Sequence, residues 1–233
     1  MQLEILADAE AAAVRGAQVI AADARSAVAA RGRFVMALSG GRTPWAMLRY
    51  LADADLPWGG VDVLQVDERI APAGDPQRNL THLRANLLEY APLRPDQVHA
   101  MPVEAPDLEA AAAHYAATLT DLAGSPPVID LVHLGLGADG HAASLVPGDP
   151  VLEVSDALVA LAGPYQGLRR MTLTYPAING ARRVLWLATG AEKAFMLERL
   201  RDGDRSIPAG RVAQVRALVL ADREAAWKLA APH

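Results

Sequence analysis

The sequence predicts an α/β fold: a mostly parallel sheet flanked by helices, Rossmann-like, in a single domain covering residues 1–233. Three observations lead there. Short apolar runs alternate with longer segments of helical periodicity. Several runs end directly in glycine or charged residues, as at Ser39-Gly-Gly41, Asp67-Glu-Arg69, Gly135-Leu-Gly137 and Thr189-Gly190. With 233 residues the chain suffices for one large α/β domain or two small ones, and no linker, repeat or low-complexity segment beyond alanine richness divides it.

Taken in order, Ala7 to Ala30 is alanine-rich, lacks proline and places Val14, Val19, Ile20 and Val28 near helical spacing. It reads as a long amphipathic helix with a scaffold role. Arg33 to Leu38 reads as a strand. Thr43 is suited to cap the next helix and Pro44 to occupy its first turn, where a missing N–H is no loss; Trp45 to Leu51 continues it. Val61 to Val66 is the next strand. A loop at Ala71–Pro76 precedes a helix capped by Asn79 or Thr81 and running to about Tyr90. Val98 to Val103 reads as a short strand, Asp107 to Leu122 as a helix, and Val128 to Leu134 as a buried strand bounded by Pro127. Pro147, Gly148 and Pro150 allow at most a short helix after His141. Ala157 to Leu161 is a strand, Gly163 to Gly167 a loop, and Met171 to Tyr175 an alternating segment ending at Pro176. Val184 to Ala188 is a strand, Ala191 to Leu200 a helix, Ala217 to Leu220 a last strand, and a helix from Arg223 closes the chain.

Composition excludes several functions. Hydrophobic residues make up 52% and charged residues 21%, as in a soluble globular protein. A net charge of −5 gives no electrostatic case for nucleic acid or an anionic membrane. The absence of cysteine removes disulfides, thiolate zinc sites and a cysteine nucleophile. The acidic N-terminus lacks a signal-peptide layout and no apolar run is long enough for a bilayer, so the cytoplasm is the expected compartment. A monomer is compatible with the sequence, which does not set the oligomeric state.

The chemistry gathers at three strand ends. After Val128–Leu134, glycines 135, 137 and 140 form a turn that carries Asp139 and His141. An acid and an imidazole just past a strand's carboxyl end stand where open α/β sheets bind ligands. At Ser39-Gly40-Gly41-Arg42-Thr43, the N–H groups from Gly40 to Thr43 are free to face an anion at a helix N-terminus, with Arg42 adding charge. A plain tight βα turn with a capped helix fits the same residues. Asp67-Glu68-Arg69 is either a solvated ion-pair loop or a site, in which Arg69 grips phosphate and Asp67 orients that arginine or a sugar hydroxyl. Lys193, in the first turn of its helix, is mildly disfavoured by the dipole and hints at a nearby anion. His82, His99 and His114 read as surface or satisfied groups and His133 as packing. Gly135, Gly137 and Gly140 match a dinucleotide fingerprint, but no continuous helix follows. Asp139 and His141 lack the further ligands a metal needs. Ser144 has no nucleophile-elbow context.

Together, Ser39-Gly-Gly-Arg-Thr-Pro44, Val66-Asp-Glu-Arg69 with Asn79, Gly135-Leu-Gly-Ala-Asp-Gly-His141 through Gly148, Met171-Thr-Leu-Thr-Tyr-Pro176 and Gly190-Ala-Glu-Lys-Ala194 resemble the 6-phosphogluconolactonases, in the same order. The resemblance spans about Leu38 to Ala221. The related glucosamine-6-phosphate deaminases share the Asp-Gly-His turn but carry Asp-Glu-Tyr and an Ile-Ala-Phe-Asn-Glu-Pro continuation. Here Arg69 and Ala142-Ala-Ser-Leu-Val-Pro147 stand instead, with Val146 where the deaminase acid is expected. Ala142 and Val146 replace the lactonases' usual threonine and phenylalanine, and Gly163 to Arg170 matches less well. The resemblance implies a sugar-phosphate isomerase/CoA-transferase-like fold and hydrolysis of 6-phospho-D-glucono-1,5-lactone, a small phosphorylated sugar lactone, without metal or organic cofactor. It implies His141 as general base, with Asp139 orienting it or binding a hydroxyl. Arg69 or the turn N–H groups near Gly135 and Gly137 would stabilise the oxyanion. The 6-phosphate would lie on Ser39–Thr43, with Arg42, Lys193 or Arg69 adding charge. An amino-sugar-phosphate deaminase or isomerase and a non-catalytic sugar-phosphate sensor are the alternative readings.

Overall fold

The computed structural model describes residues 1–230. Its strands are β1 (Gln2–Leu6), β2 (Phe34–Leu38), β3 (Val61–Gln65), β4 (Asp67–Arg69), β5 (Val98–His99), β6 (Leu131–Gly135), β7 (Val159–Tyr165), β8 (Leu168–Leu173), β9 (Arg183–Ala188) and β10 (Ala217–Asp222). Its α-helices are α1 (Ala9–Arg31), α2 (Arg42–Ala52), α3 (Asn79–Leu83), α4 (Leu108–Ala123), α5 (Tyr175–Asn179) and α6 (Ala194–Arg201). Seven strands form a parallel sheet in the order β1-β10-β9-β6-β2-β3-β5. The expected mostly parallel sheet is therefore present, and a second, antiparallel sheet of order β4-β8-β7 accompanies it.

Alternation along the buried strands feeds two cores. In β2, Phe34, Met36 and Leu38 pack with Ala13, Ile20 and Met47 of α1 and α2, while Val35 and Ala37 join Tyr115 and Leu119 of α4 on the other face. The small sheet packs on that second face through Val159, Ala162, Met171 and Leu173. Among the described residues no helix is long and apolar enough to cross a membrane.

The helix α1 begins two residues later than expected. Asp8 is its N-cap, accepting the Ala11 N–H at 2.8 Å, and Gly32 at φ 75° closes it. Other boundaries differ in ways that matter for the site. Thr43 does not cap α2: the helix already starts at Arg42 behind Gly41, and the Thr43 hydroxyl meets that of Thr189 at 2.6 Å. Neither Asn79 nor Thr81 caps α3, whose first N–H groups go to the distant Glu68 carboxylate, and a π-helical turn at Arg84–Leu88 continues it. The expected 98–103 strand keeps only Val98–His99. The expected loop at 163–167 is largely β7 and its hairpin turn into β8, and Tyr175–Asn179 forms α5. Residues 191–193 make a 3-10 turn before α6. No helix follows His141; Ala142 and Leu145 form an isolated bridge instead. Beyond Arg223 the chain makes turns and a short 3-10 segment at Trp227–Ala230 rather than the expected helix, because Asp222 ties the Ala225 and Gly190 N–H groups and draws the chain back onto the sheet.

Candidate active site

Strands β9, β6, β2 and β3 are neighbours at the sheet centre, and their carboxyl ends lead into the four segments singled out above. From β2 the chain proceeds to β3 and β5 on one side; from β6 it proceeds to β9 and β10 on the other. The reversal between β2 and β6 is a topological switch point, where open α/β sheets leave a crevice. A cleft of about 440 Å³ opens there. Ser39, Gly40, Gly41, Arg42 and Thr43 line one part of it, Asp67 and Arg69 another, and Gly137, His141 and Lys193 the remainder. Asp139 alone of the expected site residues stands behind the lining rather than in it.

The Ser39–Thr43 loop presents backbone. The first N–H groups of any helix lack intrahelical acceptors, and here Trp45 is the first whose N–H bonds back, to Gly41 at 2.9 Å. Gly41 sits at φ 134°, a conformation side chains disfavour. A Cβ at Gly40 would lie 2.1 Å from Asn79 Oδ1, so only glycine lets this loop cross the Asn79 side chain. Arg42 is exposed and Lys193 half-buried at the cleft edge.

On the Gly135–His141 turn, the His141 ring donates Nδ1–H to Asp139 Oδ1 at 2.6 Å, and the same oxygen accepts the His141 backbone N–H at 3.1 Å. A carboxylate can only accept, so it fixes the proton on Nδ1 and leaves Nε2 with a lone pair. Burial works to raise the Asp139 pKa, but the His141 charge and hydrogen bonds from His141 and Tyr165 outweigh it and leave the carboxyl below its ordinary range. Gly137 does not offer its N–H to a ligand. That N–H is spent on the His141 carbonyl at 2.8 Å. Its glycine identity serves another end: a Cβ there would lie 2.1 Å from His141 Nδ1 and 2.6 Å from Asp139 Oδ1. The missing side chain is the space into which the acid–imidazole pair folds.

The third wall is built by the small sheet. In the β4–β8 register Arg69 lies directly opposite Arg170. Like charges in that position repel, and both arginines line the cleft. Arg69 donates Nη1 to the Gln77 carbonyl, while its buried Nε, like that of Arg170, has no partner among the described residues. Burial lowers the Arg170 pKa, and the Arg69 charge lowers it further. Two guanidinium groups with unmet donors, one of them almost wholly buried, make a seat for an anion. Asp67 answers Arg170 at 3.9 Å rather than orienting Arg69, and is itself held by the Ser144 hydroxyl at 2.7 Å and Asn79 Nδ2 at 3.1 Å. Ser144 is thus a buried donor, in keeping with its exclusion as a nucleophile.

Behind this wall, Glu68 is fully buried. Its Oε1 accepts the N–H groups of Arg69 and Asn79 at 2.8 and 2.7 Å, and its Oε2 accepts Leu80 N–H at 2.8 Å and Gln65 Nε2 at 2.9 Å. Buried Arg78 lies 3.4 Å from the same carboxylate and also pairs with Glu104. One carboxylate therefore locks the backbone on both sides of the Asp67–Asn79 corner.

Among the other histidines, His133 is completely buried, consistent with packing, and its Nδ1 accepts the Ser39 N–H at 3.4 Å. Burial depresses its pKa to about 4. His99 meets Asp62 at 2.9 Å, His114 is exposed on α4, and His82 stacks on Trp45, which lines the cleft, at 3.9 Å between ring centroids. Sequence reasoning did not place Tyr165, Gln166, Arg170, Thr189 or Glu192 in the site, and it read Asn79 as a cap and a member of the resemblance motif without a site role. The available signal was Arg170 at the head of an alternating apolar segment. Among the described residues no group of His, Asp and Glu is arranged to hold a metal ion.

Comparison with known proteins shows what the chain as a whole is similar to. A family model described as glucosamine-6-phosphate isomerases/6-phosphogluconolactonase matches residues 7–220. The chain is 36% identical to the 6-phosphogluconolactonase of Synechocystis sp. over 200 residues, covering 84% of this chain and 83% of the relative. It is 37% identical to that of Mycobacterium tuberculosis, covering 97% and 98%. The solved structure of the 6-phosphogluconolactonase of Trypanosoma brucei superposes with a TM-score of 0.85 at 27% identity, covering 98% of each chain.

Proposed function

The chain belongs to the glucosamine-6-phosphate isomerase/6-phosphogluconolactonase family, and from that premise we propose what it does and how. It is a 6-phosphogluconolactonase, hydrolysing 6-phospho-D-glucono-1,5-lactone to 6-phosphogluconate in the pentose phosphate pathway. The observation that supports this reading most is a cleft-lining imidazole whose Nδ1 is held by a carboxylate.

A δ-lactone is an activated ester and needs no covalent nucleophile. Water attacks the lactone carbonyl carbon and gives its proton to His141 Nε2. Asp139 steadies the imidazolium that forms. Arg69 faces the carbonyl oxygen as it becomes an oxyanion, and Arg170 strengthens the field that draws a dianionic substrate into the cleft. Collapse of the tetrahedral intermediate breaks the bond to the ring oxygen, which takes the proton back from His141. The product is the open-chain acid. The 6-phosphate rests on the N–H groups of Gly40–Thr43, with Arg42 and Lys193 supplying charge. Binding at this remote group holds the carbonyl against the base.

The test is lactone hydrolysis corrected for the spontaneous rate, run beside deamination of glucosamine 6-phosphate. The wild-type protein should hydrolyse the lactone and leave the amino sugar untouched. His141→Ala should lose roughly 10²–10⁴-fold in kcat with its fold intact by circular dichroism. A variant that turns over like wild type removes the histidine from the mechanism.

A further inference from the structure

The Asp139 carboxylate has two oxygens, and the turn that carries it uses only one. Oδ1 is engaged twice by His141. Oδ2 accepts the Tyr165 hydroxyl at 3.1 Å. A carboxylate fastened at a single oxygen can still swing about its terminal torsion, which is broad. Fastened at both, it holds the imidazole plane as well as its tautomer.

Tyr165 reaches Asp139 because of its own hairpin. The β7–β8 turn is the pair Gln166–Gly167 at φ 54° and 84°, the two positive values of a type I′ turn. The register is broken between Ala162 and Tyr165. Irregularities of this kind re-aim side chains beside active sites. The ring is then fixed from two sides. It meets His141 edge-on at 5.1 Å and 63°, and the Arg170 guanidinium lies 5.0 Å from its centroid. Arg170 Nη2 also donates to the Tyr165 carbonyl at 3.3 Å. Burial raises the phenol pKa, and the Asp139 acceptor raises it further, so the hydroxyl stays a donor. The charged groups around the pair are Arg170 behind the ring and Arg42, Asp67, Arg69, Glu192 and Lys193 elsewhere in the cleft.

We propose that Tyr165 is a positioning residue for lactone hydrolysis: it pins the free oxygen of Asp139 and so holds His141 at the angle the attacking water requires. This rests on the assignment of His141 as general base. It also ties the small antiparallel sheet to a catalytic turn that belongs to the parallel one.

Tyr165→Phe tests it, since the ring contacts remain and only the hydroxyl is lost. The variant should melt like wild type. Its kcat should fall roughly tenfold, the worth of one hydrogen bond to a charged group, with KM for the lactone changed less than about twofold. The acid limb of kcat against pH should move up, because the carboxylate has lost a donor that stabilised its charge. Placed on His141→Ala, the same substitution should cost nothing more, as the two residues act as one unit. The proposal is overturned if His141→Ala is inactive while Tyr165→Phe keeps the wild-type kcat and acid limb. It is equally overturned if the loss is the same in both backgrounds. If His141→Ala itself retains wild-type kcat, the base assignment falls and the proposal falls with it.

Discussion

Two of the walls of the cleft are made in opposite ways. The wall at the ends of β2 and β9 is mostly backbone: unpaired helix N–H groups, glycines and two cations at the edge, Arg42 and Lys193. The wall raised by β4 and β8 is mostly buried side chain: Asp67, Arg170 and Asn79 at the surface of the cleft, with Glu68 and Arg78 beneath. A backbone wall costs little to build and tolerates change in its side chains, because its dipoles belong to the peptide groups. A wall of buried charge must satisfy every group, and losing one partner strands the others.

That contrast can be broken most directly at Glu68. Glu68→Gln turns an amide NH2 donor toward backbone N–H donors and leaves Arg78 only the exposed Glu104 as its partner, so it should cost about 3–5 kcal/mol in urea unfolding and most of the activity. A loss within about 0.5 kcal/mol would mean that buried charge does not hold this wall. Beneath Ser39 the backbone wall rests on a buried titratable group, His133. Its pKa of about 4 in the folded state lies below the ordinary 6.5. The unfolded chain therefore binds a proton that the folded chain refuses between these values. The stabilising contribution is complete above pH 6.5 and is lost as pH falls toward 4, at about 1.4 kcal/mol per unit. His133→Asn should flatten that part of the stability curve relative to wild type; parallel curves would count against it. The smallest effects belong to the edge cations. Arg42→Ala and Lys193→Ala should each raise KM roughly 3–10-fold with kcat unchanged, since each removes one solvated charge from a site that backbone amides still make. A KM unmoved in both would shift the phosphate away from this loop.

The same contrast explains what could be read in advance. The Ser39–Thr43 loop was legible because glycine and proline positions follow local rules of turn and helix geometry, and the Asp139–His141 turn because both residues and their glycines lie within a few positions of each other. The charged triplet 67–69 gave no strand signal, since its pairing is set by β8 about a hundred positions away. The edge strand β1 was equally silent: its residues are half-exposed and lack an apolar run. Gly137 was expected to offer its N–H to the oxyanion, and only the folded turn reveals that this N–H is taken and that the empty Cβ position holds the imidazole.

By itself, then, the sequence determined the alternation of strand and helix, the glycine loop that opens α2 and the acid–imidazole turn, all of which depend on neighbours along the chain. Tertiary structure alone decided that Arg69 faces Arg170, that Ser144 and Asn79 hold Asp67, and that Tyr165 reaches Asp139. Those contacts join segments separated by 12 residues at the least and about a hundred at the most, and hydrogen-bond partners across such distances are chosen by sheet register and burial rather than by any pattern a local stretch can carry.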